Sequence, residues 1–138
     1  MKITEETRLK AGIYRQRVDD IIRAVAEYYG VSETEMKSMS HAASKYRMPV
    51  HYFIQETIKG ITLSAIGAMT RIKPMDHSAV HHSINQYRVM INLQRRDGSY
   101  IYPAARQEME AIRDCIQNNK LGDQIARQTG FNITNYGW

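Results

Sequence analysis

Residues 62–82, TLSAIGAMTRIKPMDHSAVHH, contain the pattern that decides the predicted fold. Thr62 precedes a short apolar segment, and a threonine in that position is typical of the N-cap of a helix. A turn with two basic residues follows, and Asp76 can cap a longer helix after it. A short helix, a tight turn and a longer helix that begins with polar residues form the helix-turn-helix arrangement. In that arrangement the first turn of the second helix reaches base edges in the major groove of DNA.

The chain upstream of this unit also predicts helices, because apolar residues recur at three- and four-residue steps. The first helix is expected to begin near residue 13 and to end at Gly30, since glycine is typical of the position after a helix. Ser32 starts a capping box, which predicts a short second helix through about Met39. In the third helix we expect Pro49 in the first turn, where its missing N–H costs nothing.

Downstream, one further helix is predicted to begin at Pro103, with Met109 and Ile112 on its apolar face. This face either covers the core, which is the favoured interpretation, or forms the seam of a homodimer. The helical signal over residues 121–128 is weaker, and the last residues predict a tail. Sustained alternation of apolar and polar residues is absent, so the predicted fold is all-α. We divide the chain into an N-terminal extension (1–12), a helix-turn-helix domain (13–97) and a C-terminal helix and tail (98–138).

The net charge of +5 conceals an uneven distribution along the 138 residues. Residues 36–107 contain ten basic and three acidic residues, a net charge of +7, together with all five histidines. The flanking segments, 1–35 and 108–138, each sum to −1. A basic block between nearly neutral ends is typical of a polyanion-binding surface, although a scattered solvated surface gives the same composition.

The composition excludes several classes of protein. No apolar run approaches the roughly 18 residues that a membrane span needs, and the N-terminus has no apolar segment typical of a signal peptide. The single cysteine, Cys115, cannot form an internal disulfide and fits a reducing compartment. We therefore expect a cytoplasmic protein that does not associate with membranes.

Short polar side chains occupy the first turns of the helix that follows Asp76. His77 and His81 are one turn apart on the same face, and Ser78 and His82 are their neighbours. Aspartate can accept a hydrogen bond from cytosine N4, histidine can donate to guanine, and serine can do either. We expect these five residues to face the major groove.

Basic residues close to the same unit in sequence are candidates for phosphate contacts. These are Lys45, Arg47, Arg71 and Lys73. Contacts from lysine and arginine to phosphate fix the position of a protein on DNA without reading its sequence.

Two motifs occur in a fixed order along the chain. The first motif is residues 21–38, which read IIRAVAEYYGVSETEMKS. The second has two parts, LxxIG at residues 63–67 and DHSxV at residues 76–80. Both motifs resemble those of the C-terminal DNA-binding domain of the bacterial replication initiator DnaA. The resemblance covers about residues 15–95.

This resemblance implies a Trp-repressor-like helix-turn-helix bundle, here with an extra C-terminal helix, that binds a short duplex DNA site. It implies base contacts for Asp76, His77 and Ser78. It also implies that backbone amides near Leu63 and Ser64 hold a phosphate, as a helix N-terminus can.

The sequence departs from the pattern of this family at several positions. The family has an arginine- and lysine-rich stretch before the third helix, where residues 40–44 here read SHAAS and the basic residues follow as Lys45 and Arg47. The turn over residues 70–75 is longer than in the family, and Ala79 replaces a serine or threonine. We therefore do not expect ordinary affinity for the usual initiator site.

Other chemistries are less favoured. Histidines at i and i+4 can share a metal, but Ser78 follows His77 where a catalytic helix of the H-E-x-x-H type needs glutamate. Cys115 fits a helix core better than a catalytic pair. The tyrosines recur at core spacing, which favours packing over stacking on single-stranded bases. We expect no metal, no cofactor and no enzyme activity, and no phosphate-binding loop of an ATPase occurs in the sequence.

The predicted function is sequence-specific binding of double-stranded DNA in the regulation of replication initiation or transcription, without ATPase activity. The alternative is a protein-interaction or structural helical module that has lost DNA binding. Ala42 and Ala43, in the place of the family's basic stretch, favour that alternative.

Overall fold

A computed structural model describes residues 5–129 of the chain, with side chains described over residues 12–118. Six helices follow one another in this part: α1 (Glu5–Tyr29), α2 (Glu33–Met36), α3 (His41–Thr57), α4 (Leu63–Thr70), α5 (His77–Asn92) and α6 (Pro103–Thr129). Between residues 5 and 129 the only β pairing is an isolated antiparallel bridge. The all-α prediction is therefore confirmed. The predicted extension begins, and the predicted tail ends, in residues outside this range.

Local signals set several of the helix ends. The hydroxyl oxygen of Ser32 accepts a hydrogen bond from the Glu35 amide at 3.0 Å, and that of Thr62 accepts one from the Ala65 amide at 3.1 Å. Gly30 follows α1 with a φ of +69°, a conformation that glycine adopts without steric cost. These two predicted N-caps and the end of the first helix are thus confirmed. However, α1 begins at Glu5 and not near residue 13, and α2 ends at Met36 and not near Met39.

The position of Pro49 differs from the sequence prediction. Ser40 is the N-cap of α3 and its hydroxyl accepts a hydrogen bond from the Ala43 amide at 3.2 Å. The helix therefore begins at His41, and Pro49 lies well inside it instead of in its first turn. Because proline has no N–H, it cannot donate the hydrogen bond that would normally reach the carbonyl of Lys45.

One hydrophobic core joins the helices. Its buried side chains include Val18, Ile22 and Val25 of α1, Val50 and Ile54 of α3, Ile66 of α4, Val80, Ile84 and Ile91 of α5, and Met109 and Ile112 of α6. Helix α6 packs against α1 and α5, so residues 103–112 share the core of the helix-turn-helix domain. The apolar face that could have formed a dimer seam is buried within the chain as far as Ile112, which gives a homodimer through this helix no support.

A polar contact adds to the packing of α6. The hydroxyl of Tyr29 on α1 donates a hydrogen bond to the Glu108 carboxylate, and burial raises the pKa of Tyr29. No helix between residues 5 and 129 has both the length and the apolar character needed to cross a membrane.

Candidate nucleic-acid interface

Gly67 allows α4 and the start of α5 to approach each other closely. The amide of Met75, in the turn between these helices, donates a hydrogen bond to the Gly67 carbonyl oxygen at 3.1 Å. A Cβ atom on Gly67 would overlap the carbonyl oxygen of Met75 and would lie 3.2 Å from Cγ2 of Val80. Glycine is therefore required where the turn folds back over α4.

The turn over residues 71–75 is held against the segment that joins α2 to α3. The amide of Ile72 donates a hydrogen bond to the Lys37 carbonyl oxygen at 2.9 Å. Within the turn, Nε of Arg71 donates to the Lys73 carbonyl oxygen at 2.7 Å. These hydrogen bonds fix the first part of the turn, at Arg71 and Ile72.

His51 of α3 connects both helices of the unit through hydrogen bonds. It is fully buried, with Nε2 at 2.9 Å from Thr70 Oγ1 of α4 and Nδ1 at 2.9 Å from Ser83 Oγ of α5. The Thr70 hydroxyl donates its hydrogen to the Ile66 carbonyl oxygen at 2.8 Å, so it must accept from Nε2–H of His51. The unprotonated Nδ1 then accepts from the Ser83 hydroxyl. Donation from Nε2–H is available to either protonation state of the ring, whereas only the neutral imidazole can accept a hydrogen bond at Nδ1.

The electrostatic surroundings of His51 also disfavour its protonation. Burial lowers its pKa to about 3, and the positive charges of Arg47 and Arg71 act in the same direction. The neutral ring therefore orients α4 and α5 throughout the physiological pH range. This contact was not predicted from the sequence, where His51 is one apolar-flanked residue of α3 with no adjacent partner.

The exposed face at the start of α5 contains the predicted base-reading residues. His77, Ser78, His81 and His82 are all exposed there. The Nε2 atom of His81 lies 3.0 Å from Nδ2 of Asn85, one turn further along. Asn85 extends the row of polar side chains with the same four-residue spacing, and that spacing could have identified it in the sequence.

Asp76 occupies the N-cap position of α5, as predicted, but its side chain makes no capping hydrogen bond. Its carboxylate oxygen Oδ1 instead lies 3.0 Å from Nδ1 of His77, and both side chains are well exposed. An acceptor and a ring whose other nitrogen is free are therefore presented together at the tip of the helix.

The predicted phosphate-contacting residues lie in different environments. Lys45 on α3 and Lys73 in the turn are exposed, and Ser64 is exposed beside the partly buried Leu63 at the start of α4. Arg71 is partly buried, and its guanidinium donates to carbonyl oxygens within its own turn. Because Ser64 is exposed, the backbone amides at the start of α4 lie close to the solvent.

The prediction that Arg47 contacts phosphate does not fit its position in the structure. Its side chain is buried, and NH1 donates hydrogen bonds to the carbonyl oxygens of Met36 at 2.8 Å and Ser38 at 2.7 Å. The guanidinium binds the carbonyl oxygens at the C-terminal end of α2 and just after it. Because it is buried there, it is not available to a ligand on the surface. Arg47 therefore has a structural role.

The other interpretations can be compared with the same structure. Tyr52 and Tyr87 are buried and their rings lie 5.3 Å apart, which confirms packing for these two tyrosines. In the part of the chain that the structure describes, no three histidine, cysteine or acidic side chains come together as metal ligands.

The α4–turn–α5 unit, with its glycine-dependent turn and exposed polar helix start, defines a helix-turn-helix protein. The chain matches the family model of the bacterial DnaA protein helix-turn-helix over residues 18–86 and belongs to this family. It is also similar to the chromosomal replication initiator protein DnaA of Xanthobacter autotrophicus, with 30% identity over 98 residues. That match covers 70% of this chain and 19% of the relative, so the chain spans about a fifth of the relative's length. No solved structure shows significant similarity to the chain.

Proposed function

We propose that this protein binds double-stranded DNA at a specific sequence through α5, and that it acts in the control of replication initiation or of transcription. The observation that supports this most strongly is the exposed polar row of His77, His81 and Asn85. Fixing α5 relative to α4 limits the orientations that this row can adopt. A site that reads hydrogen-bonding groups on bases needs such preorganisation.

The residues at the start of α5 have the chemistry required for base readout. The Asp76 carboxylate can accept from cytosine N4, and a histidine N–H can donate to guanine O6 or N7. Asn85 can pair with adenine through N6 and N7, since its amide has both a donor and an acceptor. Ser78 and His82 flank this row and can contact either bases or the sugar-phosphate backbone.

Phosphate contacts would surround this reading surface. Lys45 and Lys73 are exposed cations, and the amides at Leu63 and Ser64 begin a helix whose dipole favours an anion. Arg71 adds positive charge to the turn. We propose these groups as the contacts that position the protein on DNA, with no catalytic step and no ATP hydrolysis.

Selection from a random pool of duplex DNA tests the proposal, followed by titration of the selected duplex. We expect Lys73→Ala to weaken binding of all duplexes and to reduce the slope of log affinity against log salt by about one. His77→Ala should weaken the selected duplex far more than a scrambled duplex. Arg113→Ala, which removes an exposed cation from α6, is the matched control and should leave both affinities nearly unchanged.

Failure of the selection would favour the alternative function, a protein-interaction or structural helical module that does not bind DNA. If no sequence is enriched at low salt, the polar row of α5 does not read bases. A duplex that is enriched but is bound equally well by the His77→Ala variant would place the readout elsewhere on the chain.

A further inference from the structure

Ile72 is unusually exposed for an isoleucine. Its exposed fraction is 78%, the largest among the exposed large hydrophobic side chains between residues 12 and 118. The side chain contributes nothing to the core, although the backbone of the same residue is hydrogen-bonded to Lys37. Single exposed hydrophobic residues are common on protein surfaces, so a contact by Ile72 is indicated by the order and the charge of the turn that bears it and not by its exposure alone.

The turn presents Ile72 in a defined position. Hydrogen bonds from the Ile72 amide to the α2–α3 segment and from the Met75 amide to Gly67 fix the backbone on both sides of the isoleucine. The Arg71 guanidinium bonds to the Lys73 carbonyl oxygen across the turn. A contact made by Ile72 therefore requires little ordering of the chain, which favours binding.

The charge around Ile72 determines the kind of partner that it fits. Arg71 precedes it and Lys73 follows it, while the nearest acidic residue in sequence, Asp76, is paired with His77. An isolated apolar side chain between two cations complements a surface where apolar sugars and base edges alternate with phosphates. Duplex DNA has that surface, and proteins insert isoleucine and similar side chains against its base steps.

We propose that Ile72 makes an apolar contact with the sugars or base steps of the DNA that flanks the sequence read by α5. This inference rests on the proposed function, because it requires that the protein binds DNA. Lys73 binds a phosphate next to that contact. The long turn would thus supply affinity in place of the basic stretch that this chain lacks.

The contact can be tested with Ile72→Ala, which changes an exposed side chain and should leave the fold intact. The probe is the duplex enriched by random selection, titrated at several salt concentrations. Loss of the isoleucine carbons beyond Cβ from a partly buried contact predicts about a tenfold rise in Kd. The salt slope should stay unchanged, because no ion is released by an apolar contact, whereas Lys73→Ala should lower the slope by about one.

Val89→Ala is the matched control, since Val89 is an exposed apolar residue (56%) in the last turn of α5. It should not change Kd. If wild-type protein binds the duplex and Ile72→Ala binds it equally well, the apolar contact is wrong while DNA binding stands. A fall in the salt slope of the Ile72→Ala variant would also overturn the apolar contact. If the wild-type protein binds no duplex, both proposals fail.

Discussion

Acidification from pH 7 to pH 5 is expected to destabilise the folded protein through His51. In the folded state the ring is buried, with Nε2–H donating to Thr70 and the unprotonated Nδ1 accepting from Ser83. In the unfolded chain the same histidine is solvated and its pKa is about 6.5. Protons therefore bind the unfolded state preferentially as the pH falls.

The size of the effect follows from the two pKa values. The folded-state pKa of about 3 lies below the unfolded value, so the stabilisation is complete above pH 6.5 and is lost progressively as the pH falls toward 3. One pKa unit corresponds to about 1.4 kcal/mol. The free energy of unfolding should therefore drop by about 2 kcal/mol between pH 7 and pH 5 through His51 alone.

Urea unfolding at pH 7, 6 and 5, followed by circular dichroism, measures this loss. The His51→Gln variant retains a donor for Thr70 and an acceptor for Ser83 but cannot be protonated, so its stability should lose this pH dependence. His82→Gln removes an exposed histidine from α5 and is the control; its pH dependence should match that of the wild type. If the stability of the wild type changes with pH no more than that of His51→Gln, His51 is not held buried and neutral in the folded state.

Three further substitutions test the supports of the helix-turn-helix unit by urea unfolding at pH 7. Gly67→Ala should destabilise the fold by about 2 kcal/mol because the added methyl group overlaps the Met75 carbonyl; an unchanged midpoint would contradict the close approach. Thr62→Ala removes the hydroxyl that caps the Ala65 amide and should cost about 1 kcal/mol, with Thr62→Ser restoring most of it. Arg47→Met should cost about 3 kcal/mol, since two carbonyl oxygens lose their charged donor; a loss of DNA affinity without loss of stability would instead restore the phosphate role.

The sequence was most informative where structure is set by neighbouring residues. The caps at Ser32 and Thr62 and the end of α1 at Gly30 each depend on groups within three residues, and all were predicted. Pro49 was misplaced because two local signals compete before it. A proline favours the first turn of a helix, but the capping serine at position 40 begins the helix earlier, and packing of α3 tolerates the missing hydrogen bond.

The candidate site was predictable only in its exposed part. A row of polar residues at four-residue spacing indicates a face, so His77 and His81 could be identified from spacing alone. The partners of His51 are 19 and 32 residues away, and those of Arg47 are backbone carbonyls that only the folded α2–α3 segment brings together. Residue type and spacing cannot distinguish such a buried arginine from one that binds phosphate.

The most direct test of sequence-specific DNA binding is the affinity of the purified protein for the duplex recovered from random selection, measured against a scrambled duplex at physiological salt. We expect the selected duplex to bind at least a thousandfold more tightly, which is typical of specific protein–DNA recognition. The His77→Ala variant should lose most of that difference. Equal affinity for the two duplexes, or the same preference in wild type and variant, would contradict readout of bases by α5.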